Sequence, residues 1–123
     1  MNNIPTKLKT EISDDPFYRV CIHERFRGVV GTGRLTLEHA IIYGGKQVQE
    51  KWAIVPCRSS FNNDVSGEEK EFNRYVAICR ASSLGLARYP KRDWNQEIER
   101  LRWRFDVTPE QIRDWKNFKI EKC

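Results

Sequence analysis

The sequence lacks any apolar run that approaches the roughly 20 residues needed to cross a bilayer. Residues 1–15, MNNIPTKLKTEISDD, contain no apolar segment of the kind that forms a secretory signal, so we expect a cytoplasmic protein. The glycine-rich stretch RGVVGTGR at 27–34 has neither the GxGxxG nor the GxxxxGK[ST] spacing, which argues against a nucleotide-binding loop and for a turn. Four cysteines are present without a CxxC pair, so their spacing does not predict a zinc knuckle.

What the sequence does contain is typical of one folded domain with a modest core. Hydrophobic residues make up 39% of the 123 residues and charged residues 32%, a balance that argues against disorder. The net charge is +5 and the pI about 9.2. This charge weakly favours an anionic partner such as nucleic acid, and a mildly basic protein without such a partner fits equally well.

The first half of the chain reads as a polar arm followed by strands. We expect residues 1–16 to be a loose arm. FYRVCIHERF at 17–26 is rich in aromatic and β-branched residues and predicts a strand. LTLEHAII at 35–42 predicts a second strand, with Leu35, Leu37, His39 and Ile41 on one face. YGGKQVQEK at 43–51 predicts a loop, and WAIVPC at 52–57 a short strand stopped by Pro56.

The second half reads as helices. Ser66 and Glu69 predict a capping box for a helix that runs to about Ser82. Its predicted apolar stripe consists of Phe72, Tyr75, Val76 and Cys79.

Two further helices are predicted in the C-terminal part. One opens at Asp93, with Gln96 three residues on. Thr108-Pro109 opens the last helix, with Gln111 closing a capping box. The residues predicted to bury these helices are Trp94, Ile98, Leu101 and Phe105 in the first, and Ile112 and Trp115 in the second. Strands followed by helices predict an α+β fold.

A histidine and a carboxylate adjoin in the middle of the 35–42 strand. His39 at a strand end can activate a water molecule, and Asn62 or Asn63, before the next helix, can offer amide oxygens to a hard cation. Glu38 points to the opposite face of a regular strand, so it shares a site with His39 only if the strand ends or distorts there. Alternatively, His39 is an ordinary strand histidine, Glu38 a solvated side chain, and the asparagines turn residues.

LEHAIIYGGKQVQEKWAIVPC together with EFNRYVAICRA resembles the HNH, or His-Me finger, nucleases, and in particular small HNH-like proteins of phages and prophages. The resemblance covers roughly residues 17–82. It implies a β-hairpin and a helix around one divalent metal, a ββα-metal core, with additional C-terminal helices. It also implies phosphodiester hydrolysis of DNA, with His39 as general base and Glu38 and Asn62 as ligands of Mg²⁺ or Mn²⁺. A phage protein of this kind would act in the cytoplasm of the host cell.

The sequence departs from the family pattern at two positions. The amide residue that orients the base is expected near Lys51 or Trp52 and is absent there, and Asn62 stands where the last histidine is usual. These departures support an alternative hypothesis. In that alternative, the fold has lost catalysis and serves as a binding module, either for DNA or for a host protein that a phage inhibits.

Two further sets of residues are candidates for binding. Many family members hold a structural zinc ion, for which the candidates are Cys21, His23, Cys57 and Cys79. Candidates for contact with nucleic acid are basic residues and one tryptophan, namely Arg34, Lys46, Arg100, Arg102, Trp103 and Arg104. The alternative is that the cysteines are small core residues and that the arginines form a solvated face. We expect a single domain over residues 17–123, with its core at about 17–82 and a helical extension at 83–123.

Overall fold

A computed structural model describes residues 4–63, 67–84 and 94–115, with the backbone alone at Tyr43, Asn62 and Asn63. The predicted α+β class is confirmed, because helices and antiparallel strands are combined in one fold. In chain order the helices are α1 (Thr6–Ser13), α2 (Glu68–Ser83), α3 (Asn95–Leu101) and α4 (Pro109–Arg113). The strands are β1 (Leu35–His39), β2 (Ile42–Tyr43), β3 (Lys46–Gln47) and β4 (Ile54–Arg58). None of the helices in these ranges is long and apolar enough to cross a membrane.

β1 and β4 pair antiparallel, and the register places Leu35 opposite Arg58 and His39 opposite Ile54. Both strands overlap the runs in which the sequence predicts them, but Pro56 does not stop β4, which continues through it to Arg58. The segment between them was predicted to be a loop, but it contains a small antiparallel hairpin of β2 and β3. Gly44 and Gly45 form its turn with φ of 61° and 80°, a left-handed conformation that suits a two-residue hairpin turn.

Helix α2 forms the centre of the core. Its predicted stripe is confirmed, since Phe72, Tyr75, Val76 and Cys79 are all fully buried. The helix begins at Glu68 with Gly67 as N-cap, one residue later than the capping box predicted, and Ser66 lies outside the described residues. α2 packs against β4 and against the 3₁₀ turn Lys51–Ala53, which directly precedes β4. The strand pair and the helix therefore share one core.

The prediction for the N-terminal region was wrong in two places. Residues 6–13 form α1 instead of a loose arm, because Ile4, Leu8 and Ile12 recur at helical spacing and pack into the core. The segment predicted as a strand at 17–26 forms a 3₁₀ turn at Pro16–Arg19 and a π-helix at His23–Arg27. There, Ile22 and Phe26 lie four residues apart and are both buried, so packing prevails over the strand-like composition.

The C-terminal helices largely follow the sequence. Trp94, Ile98 and Leu101 are buried as predicted, and α3 begins at Asn95, while Asp93 lies outside the described residues. The capping box of α4 is confirmed. The Thr108 hydroxyl accepts a hydrogen bond from the Gln111 N–H at 3.2 Å, and the Gln111 side chain accepts one from the Thr108 N–H at 2.9 Å.

Replacing Thr108 with alanine is expected to lower the free energy of unfolding by about 1 kcal/mol, because it removes the acceptor for an N–H group in the first turn of α4. Urea unfolding followed by far-UV circular dichroism measures the change. Thr10→Ala is the matched control, since Thr10 is an exposed threonine inside α1 and its replacement removes no cap. Equal losses in the two variants would contradict the capping role.

A buried polar network joins the N-terminal region to α2. The Arg80 guanidinium donates to the Tyr18 hydroxyl at 2.7 Å and lies 3.5 Å from the Asp15 carboxylate. Lys51 pairs with the same carboxylate at 3.1 Å, and the Phe17 N–H donates to it at 3.0 Å. Burial would raise the pKa of Asp15, but the Phe17 hydrogen bond and the two cations outweigh it and hold this pKa below its ordinary value of 3.8.

Asp15 is therefore expected to make the stability of the protein depend on acid. Since its pKa is lower in the folded state, its contribution is fully present above the unfolded pKa and is lost as pH falls through the folded one. Urea unfolding between about pH 5 and about pH 2 should show a steeper loss for the wild type than for Asp15→Asn. The exposed neighbour Asp14 provides the control, and Asp14→Asn should retain the wild-type slope. A slope that Asp15→Asn leaves unchanged would rule this out.

Candidate functional site

A cleft of about 420 Å³ lies between the end of β1 and the first two turns of α2. Both members of the Glu-His pair line it, because β1 ends at His39 and the two neighbouring side chains can therefore face one space. The other side chains relevant to its chemistry come from the turn before α2 and from α2 itself: Phe61, Lys70, Glu71 and Arg74.

The His39 ring is held at one nitrogen only. Its Nε2 lies 3.0 Å from the Oε1 of Gln49, which belongs to the chain between β3 and β4. With an amide oxygen as its partner, Nε2 carries the ring proton in the neutral imidazole, and Nδ1 keeps a lone pair. Nδ1 is buried and has no hydrogen-bond partner among the described residues. A buried nitrogen in this state is costly in a structural histidine and is suited to accept a proton.

Carboxylates lie on both walls of the cleft. Glu38 on β1 accepts a hydrogen bond from the Thr36 hydroxyl at 3.0 Å. Glu71 on α2 accepts one from the Arg104 guanidinium. Asn62, the other predicted metal ligand, lies in the 3₁₀ turn Ser59–Asn63, and its side chain is outside the described residues.

The cationic groups of the cleft differ from those predicted. Lys70 on α2 is exposed at the cleft and forms no ion pair with another side chain in the described ranges. Arg74, one turn further along, is paired with Glu97. Arg34 and Lys46 were predicted to contact phosphate near His39, but neither lines the cleft. Arg34 precedes β1 at its opposite end, about 16 Å along the strand from His39, and its contact with nucleic acid stays a prediction, as does that of Lys46.

Sequence reasoning missed both Gln49 and Lys70. The resemblance places an orienting amide near Lys51 or Trp52, and Gln49 lies just before that position. A search of the neighbouring residues for an amide would therefore have found Gln49. Lys70 and Arg74 are four residues apart on α2 and therefore share one face of the helix. This spacing would have predicted that both line the cleft, if the position of α2 beside the end of β1 had been known.

The four predicted zinc ligands do not converge in the structure. Both ring nitrogens of His23 are engaged by protein groups, Nε2 with Asn73 at 2.8 Å and Nδ1 with Arg27 at 3.2 Å. Cys79 is hydrogen-bonded to Tyr75, whereas Cys21 and Cys57 contact each other. Within the described ranges, no group of three or more His, Cys, Asp or Glu side chains is placed to hold a metal without other ligands.

The predicted basic surface after α3 is largely neutralised. Arg100 lies 3.8 Å from Glu97, Arg102 lies 3.1 Å from Glu99, and Arg104 pairs with Glu71. Trp103 differs from these residues because it is 79% exposed, and the Arg102 guanidinium lies 5.0 Å from the centroid of its ring.

Comparison with known proteins adds no assignment. No protein-family profile matches the chain, and searches of curated proteins and of solved structures likewise yield no match. The resemblance to HNH nucleases therefore rests on the quoted residues alone.

Proposed function

We propose that the protein hydrolyses phosphodiester bonds of DNA with the help of a divalent cation, in the manner of an HNH nuclease. The observation that carries this proposal is the His39 ring, whose Nε2 is held by Gln49 while its buried Nδ1 has no partner among the described residues. The order of elements also supports it. Antiparallel strands β1 and β4 are followed in the chain by helix α2, which packs against β4, and the proposal draws support from this order.

Each side chain of the cleft takes a defined part in this reaction. His39 accepts a proton from the attacking water at Nδ1, and Gln49 fixes the tautomer that leaves this atom free to do so. Lys70 contributes a positive charge to a non-bridging phosphate oxygen, since it reaches the same cleft and forms no ion pair with a carboxylate of the described residues. The remaining wall, formed by Phe61, gives one side of the cleft an apolar surface.

The donor set of the cleft fits a hard cation better than zinc. Magnesium takes only one or two protein carboxylates and completes its shell with waters and substrate phosphate oxygens. Glu38 supplies such a carboxylate beside His39, with Glu71 on the facing wall. Asn62 remains a proposed ligand through its amide oxygen. A cation held at Glu38 would stabilise the negative charge that develops on the phosphate and on the leaving oxygen.

The direct test is cleavage of supercoiled plasmid by the purified full chain with Mg²⁺, with Mn²⁺ or with EDTA. Conversion of the plasmid to nicked or linear forms with a cation, and its absence with EDTA, is the expected result. A Lys70→Ala variant should cleave more slowly, whereas Lys46→Ala, which alters a lysine outside the cleft, should behave as the wild type. A folded protein that cleaves with none of these cations would overturn the proposal.

A binding module is the second candidate, and the exposure of Trp103 favours it. An indole that is 79% exposed with a guanidinium beside it is suited to stack on a nucleobase, or to bury itself in a protein partner. This role does not require His39, so cleavage and binding can be measured separately.

Trp103→Ala is expected to weaken binding to single-stranded DNA by roughly tenfold, because stacking of one base on an aromatic ring contributes on the order of 1–3 kcal/mol. Fluorescence anisotropy of a labelled oligonucleotide measures the dissociation constant. Val30→Ala serves as control, since Val30 is 88% exposed and distant in sequence from the basic segment. If both variants bind as the wild type does, Trp103 is not a nucleic-acid contact.

A further inference from the structure

Two cysteines that are far apart in sequence meet below the surface. Cys21 directly precedes the short helical segment at 22–27, and Cys57 lies on β4. The two residues are 1% and 0% exposed, and both sulfur atoms lie against Arg58: the Cys57 thiol donates to the Arg58 carbonyl at 3.5 Å, and the Arg58 N–H donates to the Cys21 sulfur at 3.4 Å. The two thiols are therefore neighbours and interact with each other. Neither side chain takes part in the cleft beside His39.

The environment of Cys21 is unusual for a cysteine that only fills space. Its sulfur accepts a hydrogen bond from the Arg58 N–H at 3.4 Å, and the backbone N–H groups of Glu24 and His23 also favour its negative charge. Together with the neighbouring Cys57 thiol, these groups favour the thiolate form of Cys21.

The two thiols are consequently inequivalent. The neighbouring Cys57 thiol, followed by the backbone N–H groups, lowers the pKa of Cys21 against the effect of burial. The pKa of Cys57 is raised, first by its interaction with Cys21 and then by burial. One sulfur is thus prepared to attack, and the adjacent one keeps its proton.

We infer that Cys21 and Cys57 form a reversible redox dithiol, which a small hydroperoxide oxidises to an intramolecular disulfide. The inference rests on the contact between the two thiols and on the donors around Cys21, and it is independent of the proposed nuclease activity. A small oxidant is required because both sulfurs are buried, and hydrogen peroxide is close to water in size.

The reaction balances in two steps. The Cys21 thiolate attacks one peroxide oxygen, a sulfur–oxygen bond forms, the oxygen–oxygen bond breaks, and the departing hydroxide is protonated to water. The Cys57 sulfur then attacks the Cys21 sulfur, a disulfide forms, and the sulfur–oxygen bond breaks. The second hydroxide takes the Cys57 proton and leaves as water. Two thiols are oxidised, and the peroxide is reduced to two waters.

The position of the pair suggests what the disulfide would do. Cys57 is paired with Thr36 across the sheet, and the Thr36 hydroxyl donates both to the Cys57 carbonyl at 2.8 Å and to the Glu38 carboxylate. A covalent bond at Cys57 would therefore fasten the helical segment at 22–27 to the strand that lies beside Glu38.

The test treats the reduced full chain with hydrogen peroxide, removes the oxidant with catalase, alkylates the remaining thiols in denaturant and measures the mass. We expect two alkylatable thiols to be lost and then restored by dithiothreitol. Tryptic digestion without reductant should give residues 20–25 linked to residues 52–58. The link should persist in Cys79→Ala, the control for a buried cysteine outside the pair, and disappear in Cys21→Ser and Cys57→Ser.

Tryptic peptide mapping of the wild-type protein shows whether the Cys21–Cys57 disulfide forms, even if a serine variant does not fold. Peroxide treatment that leaves both peptides fully alkylated would overturn the inference. So would oxidation of Cys21 to the sulfinic acid without a link to Cys57, because an adjacent thiol should capture the sulfenic acid first.

Discussion

Replacing His39 with alanine is expected to reduce cation-dependent DNA cleavage by about 10²- to 10⁴-fold, the range that a positioned general base contributes. The physical reason is the state of the ring, with Nε2 held by Gln49 and Nδ1 buried without a partner among the described residues. Cleavage of supercoiled plasmid at saturating Mg²⁺ gives the rate constants. Addition of imidazole should restore part of the activity, since a small base can occupy the space that the side chain leaves.

Replacing Gln49, the hydrogen-bond partner of His39, should have a smaller effect on the cleavage rate than replacing His39 itself. Gln49→Ala is expected to reduce the rate by about tenfold, because the ring keeps its base but loses the partner that fixes its tautomer and orientation. Gln47→Ala is the matched control, since Gln47 is an exposed glutamine on β3. The free energy of unfolding should be similar in all three variants and in the wild type.

Two results would contradict this assignment. If His39→Ala cleaves as fast as the wild type, the Glu-His pair is not the catalytic site. If imidazole restores nothing while Gln49→Ala and Gln47→Ala lose activity equally, the loss in His39→Ala reflects a structural change and not a missing base.

The parts of the fold that could be predicted from the sequence are those governed by local rules. The stripe on α2 and the Thr108–Gln111 capping box depend on spacing within one helix, and both are confirmed. β1 and β4 were located approximately, because a short apolar run carries local information, although the predicted stop at Pro56 was wrong since β4 continues to Arg58.

The errors arise where distant contacts decide the structure. The 17–26 segment has a strand-like composition, but Ile22 and Phe26 are buried at helical spacing, so packing decides its structure. The N-terminal arm was judged by its many polar residues, although Leu8 and Ile12 already carry the spacing of a helix that docks on the core.

The candidate site was predicted in part for the same reason. Glu38 and His39 adjoin in sequence, so their pairing was visible without a structure. Gln49 reaches His39 only because the β2–β3 hairpin folds the intervening chain back, and Lys70 reaches the cleft only because α2 packs against the strands. The position of an amide or a lysine relative to such a site depends on turns that composition alone does not specify.

Arg80 on α2 is a buried charged residue, and Arg80→Met is expected to lower the free energy of unfolding by about 3 kcal/mol. The side chains of Arg80 and Asp15 are only 10% and 13% exposed, so their pairing is poorly screened by solvent. Methionine fills much of the same volume, but it leaves the Tyr18 hydroxyl without its donor and the Asp15 carboxylate with Lys51 as its remaining cation. The Arg80 guanidinium also lies 4.0 Å from the centroid of the Phe17 ring, where it forms a cation–π contact. Methionine keeps the van der Waals contact with this ring but loses the attraction of the cation.

Urea unfolding of the Arg80→Met variant measures this loss, and two comparisons separate its causes. Arg113→Met removes an arginine whose partner Glu110 is 74% exposed, and we expect a change within about 0.5 kcal/mol. The double variant Arg80→Met with Asp15→Asn should recover part of the stability, because an amide at position 15 no longer leaves a partly buried charge without one of its cationic partners. If Arg80→Met costs no more than Arg113→Met, the network holds little of the fold together. If the double variant is as unstable as the sum of the two single ones, Arg80 and Asp15 are not coupled, and Arg80 acts through Tyr18 and Phe17 instead.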